Sequence, residues 1–241
     1  RLHLGTNKIE KFKHNPLDPS SVGANGITTF LKTNSGEVLI GTYGGGLSIF
    51  NEASSSFDNL KHDPENPSSL RSNNVIALYQ DSLGYIWIGT EAGLSRFNQE
   101  DRTFDQPKTD DASYAFLKSI IWAFLEADDG TLWMGSAGEG LTSWDIESRS
   151  ELSADITRSS TELDLPSSNI YGIQSDKQGD IWVSHNSGVS KIQISDNKVT
   201  NYGARDGLQG SEFNMGASFK SKSGSIYFGG SRGFNVIDPE A

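Results

Sequence analysis

The sequence predicts an all-β fold, a β-propeller of four-stranded antiparallel blades, on three observations. A glycine-led pair of short apolar strands recurs five times at nearly constant spacing. No segment carries a sustained helical period, and Pro- and Ser-rich joints such as "DPENPSSL", Asp63 to Leu70, separate the copies. Glycine is abundant, with 26 among 241 residues against a usual share of about 7%, which suggests many tight turns.

The recurring core reads "GEVLIGTYGGGLSIF" from Gly36, "GYIWIGTEAGLSRF" from Gly84, "GTLWMGSAGEGLTSW" from Gly130, "GDIWVSHNSGVSKI" from Gly179 and "GSIYFGGSRGFNVI" from Gly224. The leading glycines are 48, 46, 49 and 45 residues apart. The apolar residue opening the next strand extends the series at Leu2, Leu47, Leu94, Leu141, Val189 and Phe234. A further apolar position follows at Phe12, Phe57, Phe104, Leu152 and Val199.

Each copy resolves into four strands. The first alternates, as in "NVIALYQD" from Asn74 and "NIYGIQSD" from Asn169. The second is apolar on both faces, with Tyr85-Ile86-Trp87-Ile88, Leu132-Trp133-Met134 and Ile181-Trp182-Val183 in the same place, so it must be covered on both sides. The third is "GLSRF" and its relatives. The fourth carries the Phe104-type residue and is more polar, as an outer edge should be.

Units of this kind stack face to face around an axis. An all-β sandwich is the rival, but it needs no recurring register. The expected organisation is a partial blade at 1–24 and blades at about 25–72, 73–118, 119–167, 168–212 and 213–241, one propeller over 1–241. Five full repeats plus a partial one do not obviously close. The chain is expected to be a fragment of a larger propeller, or its two ends complete one blade between them. It opens at Arg1 rather than Met, which reads as an excised or processed piece.

Lys and Arg total 20 against 31 Asp and Glu, a net charge of −11 that disfavours nucleic acid and anionic membrane surfaces. The absence of cysteine excludes disulfides, thiolate metal sites and cysteine nucleophiles. No apolar run approaches the ~18 residues of a membrane span.

Several motifs invite a chemical reading. Asp81, Asp128 and Asp176 precede the anchor glycines by two or three residues; Asn34 and Lys222 are read in the same slot, so the role expected is a turn rather than acid–base catalysis. Trp87, Trp133, Trp182 and Tyr227 share one position, with Leu39 in the remaining copy, and are expected to fill space between blades rather than form a stacking platform. His3, His14, His62 and His185 show neither metal-ligand spacing nor a nucleophile motif. "YGGG" at Tyr43 leads into a strand, not a helix, and is a hairpin loop rather than a phosphate cradle.

The variable positions carry the expected binding surface. The loops between second and third strands differ while the strands repeat, at Tyr43, Glu91, Glu139, His185 with Asn186, and Arg232. Asn25, Asn74, Asn169 and Asn214 recur near the first strands and are expected to ring the channel mouth, or to cap the turn there. No metal or cofactor site is expected.

Ser69 to Asn98, "SLRSNNVIALYQDSLGYIWIGTEAGLSRFN", resembles the two-component regulator propeller repeat, and the copies at Gly84 and Gly179 match best. The stretch "GLQGSEFNMGASFKSKSGSIYFGGSRGFNVIDPE", Gly207 to Glu240, is similar to the last blade of such sensors. The copy at Gly36 lacks the Trp, and the one at Gly130 has "LKSIIWAF" in place of the "SNN" lead-in. The resemblance implies the periplasmic sensor region of a bacterial membrane receptor, a hybrid histidine kinase or a diguanylate cyclase. It also implies a small-molecule ligand such as an oligosaccharide fragment, a homodimeric parent, and no catalysis within this stretch. The alternative is a propeller lyase or hydrolase using His185 with Glu139 or Glu91. A protein–protein scaffold without a small ligand is a third reading.

Overall fold

A computed structural model describes residues 1–107, 112–145, 152, 157–158 and 163–240. It contains four four-stranded antiparallel sheets, one three-stranded sheet and one two-stranded sheet. The sheets are called blades I to V below. Their first strands are Ile27–Lys32, Val75–Gln80, Ile121–Glu126, Ile170–Ser175 and Phe213–Lys220. Their second strands are Val38–Thr42, Ile86–Thr90, Leu132–Ser136, Ile181–His185 and Ile226–Gly230. Consecutive first strands lie against one another from blade I to blade V, so the blades radiate from a common axis.

The stacking follows from period-two alternation along each second strand. Ile86 and Ile88 face blade I, where they pack with Leu39, Leu47 and Ile49. Trp87 faces the other way, onto Leu132, Met134 and Trp144 of blade III. Trp133 meets Ile181 and Val183, and Trp182 meets Ile226 and Phe228. One repeat position thus fills four successive seams, and full burial of such a side chain contributes about 1.5–3 kcal/mol.

Two glycine positions make the repeat possible. The anchor glycines Gly36, Gly84, Gly130, Gly179 and Gly224 close the first hairpin with φ between 83° and 102°. The glycine opening the third strand is needed for space as well. A Cβ on Gly46, Gly93 or Gly188 would lie 2.0–2.2 Å from the carbonyl oxygen of Leu60, Leu117 or Tyr202, where the chain leaves for the next blade.

Three details differ from the sequence expectation. A 3₁₀ helix, Ala112–Lys118, forms the joint into blade III and buries Phe116 and Leu117. Leu152 does not lie in an outer strand as Phe57, Phe104 and Val199 do; it packs in the blade II–III seam, and the outer strand of blade III is Thr157–Arg158. Blade III has a longer connection than its neighbours, which displaces the counting. Of the two arrangements expected for the ends, completion of one blade between them is not found: among the described residues Leu2–His3 pairs with Lys8–Ile9 alone and blade V has three strands, in keeping with a fragment of a larger propeller. Phe12 and Val22 cover part of the front of blade I, with the Phe12 ring 5.2 Å from Phe50 and 5.4 Å from Phe57. The rear of blade V stays bare, with Phe219 63% and Phe234 67% exposed.

Candidate functional site: the mouth of the central cavity

Each first strand begins opposite the end of its second strand, with Val75 across from Thr90 and Ile170 across from His185. The joints between blades and the loops between second and third strands therefore share one face. A bulge near the start of the first strand in blades I to IV leaves Thr28, Ile76, Trp122 and Tyr171 outside the ladder pairing. The five first strands line an open cavity of about 690 Å³. Tyr79, Trp122, Phe124 and Met215 form much of its wall, and Tyr43 and Glu91 stand at its edge.

Three residues singled out from sequence converge there. The loop after the second strand of blade I leans on blade II: Tyr43 bridges Asn74, and the N–H groups of Gly44 and Gly46 donate to Asn73 O at 3.1 and 2.9 Å. This carries Tyr43 across to Glu91, where its hydroxyl donates to Oε1 at 3.3 Å. Asn74 Nδ2 donates to the other oxygen, Oε2. Tyr43 remains 56% exposed while anchored. On the far side, Trp122 of blade III and Tyr171 of blade IV bring their rings to 4.8 Å.

The other candidates are more scattered. Glu139 is half-buried in the blade III loop. Asn186 and Arg232 are exposed, and Arg232 N–H donates to Gln209 Oε1 at 2.9 Å. Asn169 directly precedes its first strand, as Asn74 does, and its N–H donates to Ser167 Oγ at 2.9 Å. Asn214 lies inside its strand and is exposed.

Asn25 belongs to a different register. Its Oδ1 accepts the His14 N–H at 2.9 Å, as Asn73 Oδ1 accepts the His62 N–H at 2.8 Å. It clamps the joint, and Gly26 holds the place of Asn74 in blade I.

His185 is corrected more sharply. It is fully buried, its Nε2 meets Ser190 Oγ at 2.8 Å, and its Nδ1 accepts the Ser187 N–H at 3.1 Å. Burial lowers its pKa from 6.5 to about 4. Thr42, Thr90 and Ser136 hold this position in blades I to III and close the same loop through their hydroxyls, at 2.8, 2.8 and 3.0 Å. His185 replaces a turn-closing hydroxyl and is not a rim base. Both ring nitrogens of His185 are taken by Ser190 and Ser187 of its own blade, so its pairing with Glu139 or Glu91 is not assembled.

The turn aspartates also do more than close turns. Asp81 takes the Tyr85 N–H on Oδ1 at 2.9 Å and the Trp87 indole N–H on Oδ2 at 2.8 Å. Asp176 repeats this with Asp180 N–H at 3.0 Å and Trp182 at 2.9 Å, beside the Lys191 ammonium at 3.3 Å. These carboxylates sit three residues before the anchor glycine. Asp128, Asn34 and Lys222 sit two before it, so the comparison that made the slot look purely geometric mixed two positions.

Sequence reasoning missed the wall residues Tyr79, Trp122 and Phe124. The available signal was the alternation of the first strands, which carries them.

A family profile described as two component regulator propeller matches residues 69–92 and 164–187. This chain carries two component regulator propeller repeats. The matched stretches fall on blades II and IV, the two with the aspartate–tryptophan bond. No curated protein matches the chain.

Among solved structures, similar ones include the extracellular domain assigned to the hybrid two component system BT3049 of B. thetaiotaomicron. It has 24% identity and a TM-score of 0.64, over 91% of this chain and 34% of that one. The corresponding domain of BT4673 has 20% identity and a TM-score of 0.76, over 97% and 32%. Virginiamycin B lyase from Staphylococcus aureus has 14% identity and a TM-score of 0.64, over 90% and 68%. At such identities the likeness concerns the propeller fold. The chain spans about a third of the length of the two B. thetaiotaomicron domains.

Proposed function

We propose that this chain is the ligand-sensing propeller of a bacterial signal-transduction receptor, periplasmic and non-catalytic in itself. Residues 1–241 act as one propeller unit within a larger one. The ligand is a small molecule, with a carbohydrate fragment as the leading class, and the parent receptor is a homodimer whose arrangement shifts with occupancy. One observation carries this reading: Tyr43 of blade I is held on Glu91 and Asn74 of blade II at the edge of a walled cavity of about 690 Å³. A cavity of that size is in the range of ligand sites, about 300–1,000 Å³. The repeat match and the extracellular domains of similar fold support the sensing role as analogy.

A thermal-shift screen of oligosaccharides and other small molecules tests it. A true ligand at a hundred times its Kd stabilises by about 2.7 kcal/mol. Tyr43→Ala is expected to abolish that shift. A shift untouched by Tyr43→Ala places the ligand elsewhere, and turnover of the ligand would replace the sensing reading with an enzymatic one.

A further inference from the structure

We infer that the cavity mouth takes a ligand bearing an ammonium group, seated on Glu91 with its remainder against the aromatic wall. This rests on the ligand-sensing reading and names the chemistry of its ligand.

Charge gives the first reason. Among the described residues lining the cavity, Glu91 is the only ionisable acid or base below the tyrosine range, and none is Lys, Arg or His. Among the described residues no cation lies within ion-pair reach of Glu91; its partners are the neutral donors Tyr43 and Asn74. They fix the carboxylate and leave its charge uncompensated. A carboxylate offers about four acceptor positions, so two remain for a ligand.

The polar groups around it give the second reason. Thr28 Oγ1 donates to Val75 O at 2.7 Å, and Gln174 Nε2 donates to Ser218 Oγ at 3.1 Å. Tyr79 Oη accepts the Glu126 N–H at 3.2 Å. Much of the polar lining is spent within the protein. A neutral polyol finds few open partners, and an anion meets repulsion.

The wall gives the third reason. Tyr43, bonded to Glu91, and Trp122, at the start of its strand, bring aromatic rings to the mouth end of the wall, and a cation within about 6 Å of a ring face gains about 0.5–2 kcal/mol; Tyr79 and Phe124, stacked at 6.1 Å, line the deeper end. The net charge of −11 adds attraction at longer range.

Calorimetric titration of the whole chain at neutral pH tests this with three probes: the disaccharide of glucosamine, its N-acetylated counterpart and choline. The glucosamine disaccharide is expected to bind at least tenfold more tightly than the N-acetylated one, and more weakly as salt rises. Glu91→Gln is expected to weaken it at least tenfold. Glu100→Gln makes the same charge change on an exposed turn between Gly93–Asn98 and Thr103–Asp105, at the other end of the blade from Glu91, and is expected to leave binding intact.

If choline binds as well, the ammonium head suffices; if only the amino sugar binds, the sugar body is also read. Both results uphold the inference. Equal binding of the acetylated and free disaccharides overturns it, as does amine binding that survives Glu91→Gln. Failure of both amines overturns it too, and binding of the neutral disaccharide that is lost in Tyr43→Ala would then leave the sensing reading standing.

Discussion

Trp182 in blade IV and Tyr227 in blade V occupy the same place in the repeat, and their surroundings could hardly differ more. Trp182 is 4% exposed, sandwiched against Ile226 and Phe228 and tied through its indole N–H to Asp176. Tyr227 is half-buried, with the rings of Phe219 and Phe234, both largely exposed, 6.0 and 6.2 Å from its own. The repeat specifies an aromatic that points at the next blade. Whether that aromatic becomes core depends on a neighbour being present.

The sharpest break of this comparison is truncation. Trp182→Ala is expected to cost about 3–5 kcal/mol in urea unfolding. Tyr227→Ala should cost about 1 kcal/mol or less, because little of its contact area is enclosed. Equal losses would mean that the rear of blade V is covered in solution.

The carboxylate under the tryptophan comes next. Asp176→Asn is expected to cost about 2 kcal/mol at pH 7, since it weakens a charged acceptor of three N–H groups, from Gln178, Asp180 and Trp182, and the Lys191 pair. Ser221 holds its place in blade V, and Ser221→Ala should cost under about 0.5 kcal/mol. Burial alone would raise the Asp176 pKa, but the Trp182 and Asp180 N–H groups and Lys191 outweigh it and the net shift is downward. A depressed carboxylate pKa gives stability that is present above the unfolded value of 3.8 and lost as pH falls through the folded value. The urea midpoint of Asp176→Asn should therefore depend less on pH below 4 than that of the parent.

His185 gives a third, smaller contrast with Gly230 at the same place in blade V. Its folded pKa of about 4 lies below the ordinary 6.5, so the unfolded chain binds the extra proton first. The contribution is fully present above pH 6.5 and lost as pH falls toward 4. His185→Thr restores the hydroxyl used in blades I to III. It should fold normally and flatten the decline of Tm between pH 6.5 and 4.

The smallest stability effect belongs to the bare face itself. Phe234→Ser should move the urea midpoint by less than about 0.5 kcal/mol. It should also reduce self-association in sedimentation experiments, because an apolar patch is removed.

Much of the arrangement was legible in advance because the repeat is local information. The seam positions of Trp87, Trp133 and Trp182 follow from a strand apolar on both faces. The errors were of register. Counting back from the anchor glycine by two or three residues mixed Asp128 with Asp81 and Asp176, and aligning Asn25 with Asn74 rather than Asn73 created a ring of asparagines that does not exist. His185 shares a column with Thr42, Thr90 and Ser136, whose hydroxyls close the loop, and that column points it inward rather than to the rim. Of the candidate site, Tyr43, Asn74 and Glu91 were chosen individually, but nothing in one dimension says that they meet.

Sequence alone determined the strands, their alternation, the positive-φ turns and the number of copies, since each is set by residues within about a dozen positions of one another. Only the folded structure decided that Tyr43 reaches Glu91, 48 residues away, that one wall of aromatics lines an open cavity, and that one tryptophan-type position is core while another is half-buried. Those facts depend on which blade stands beside which, and a through-space neighbour in a radial stack is fixed by packing rather than by any local pattern.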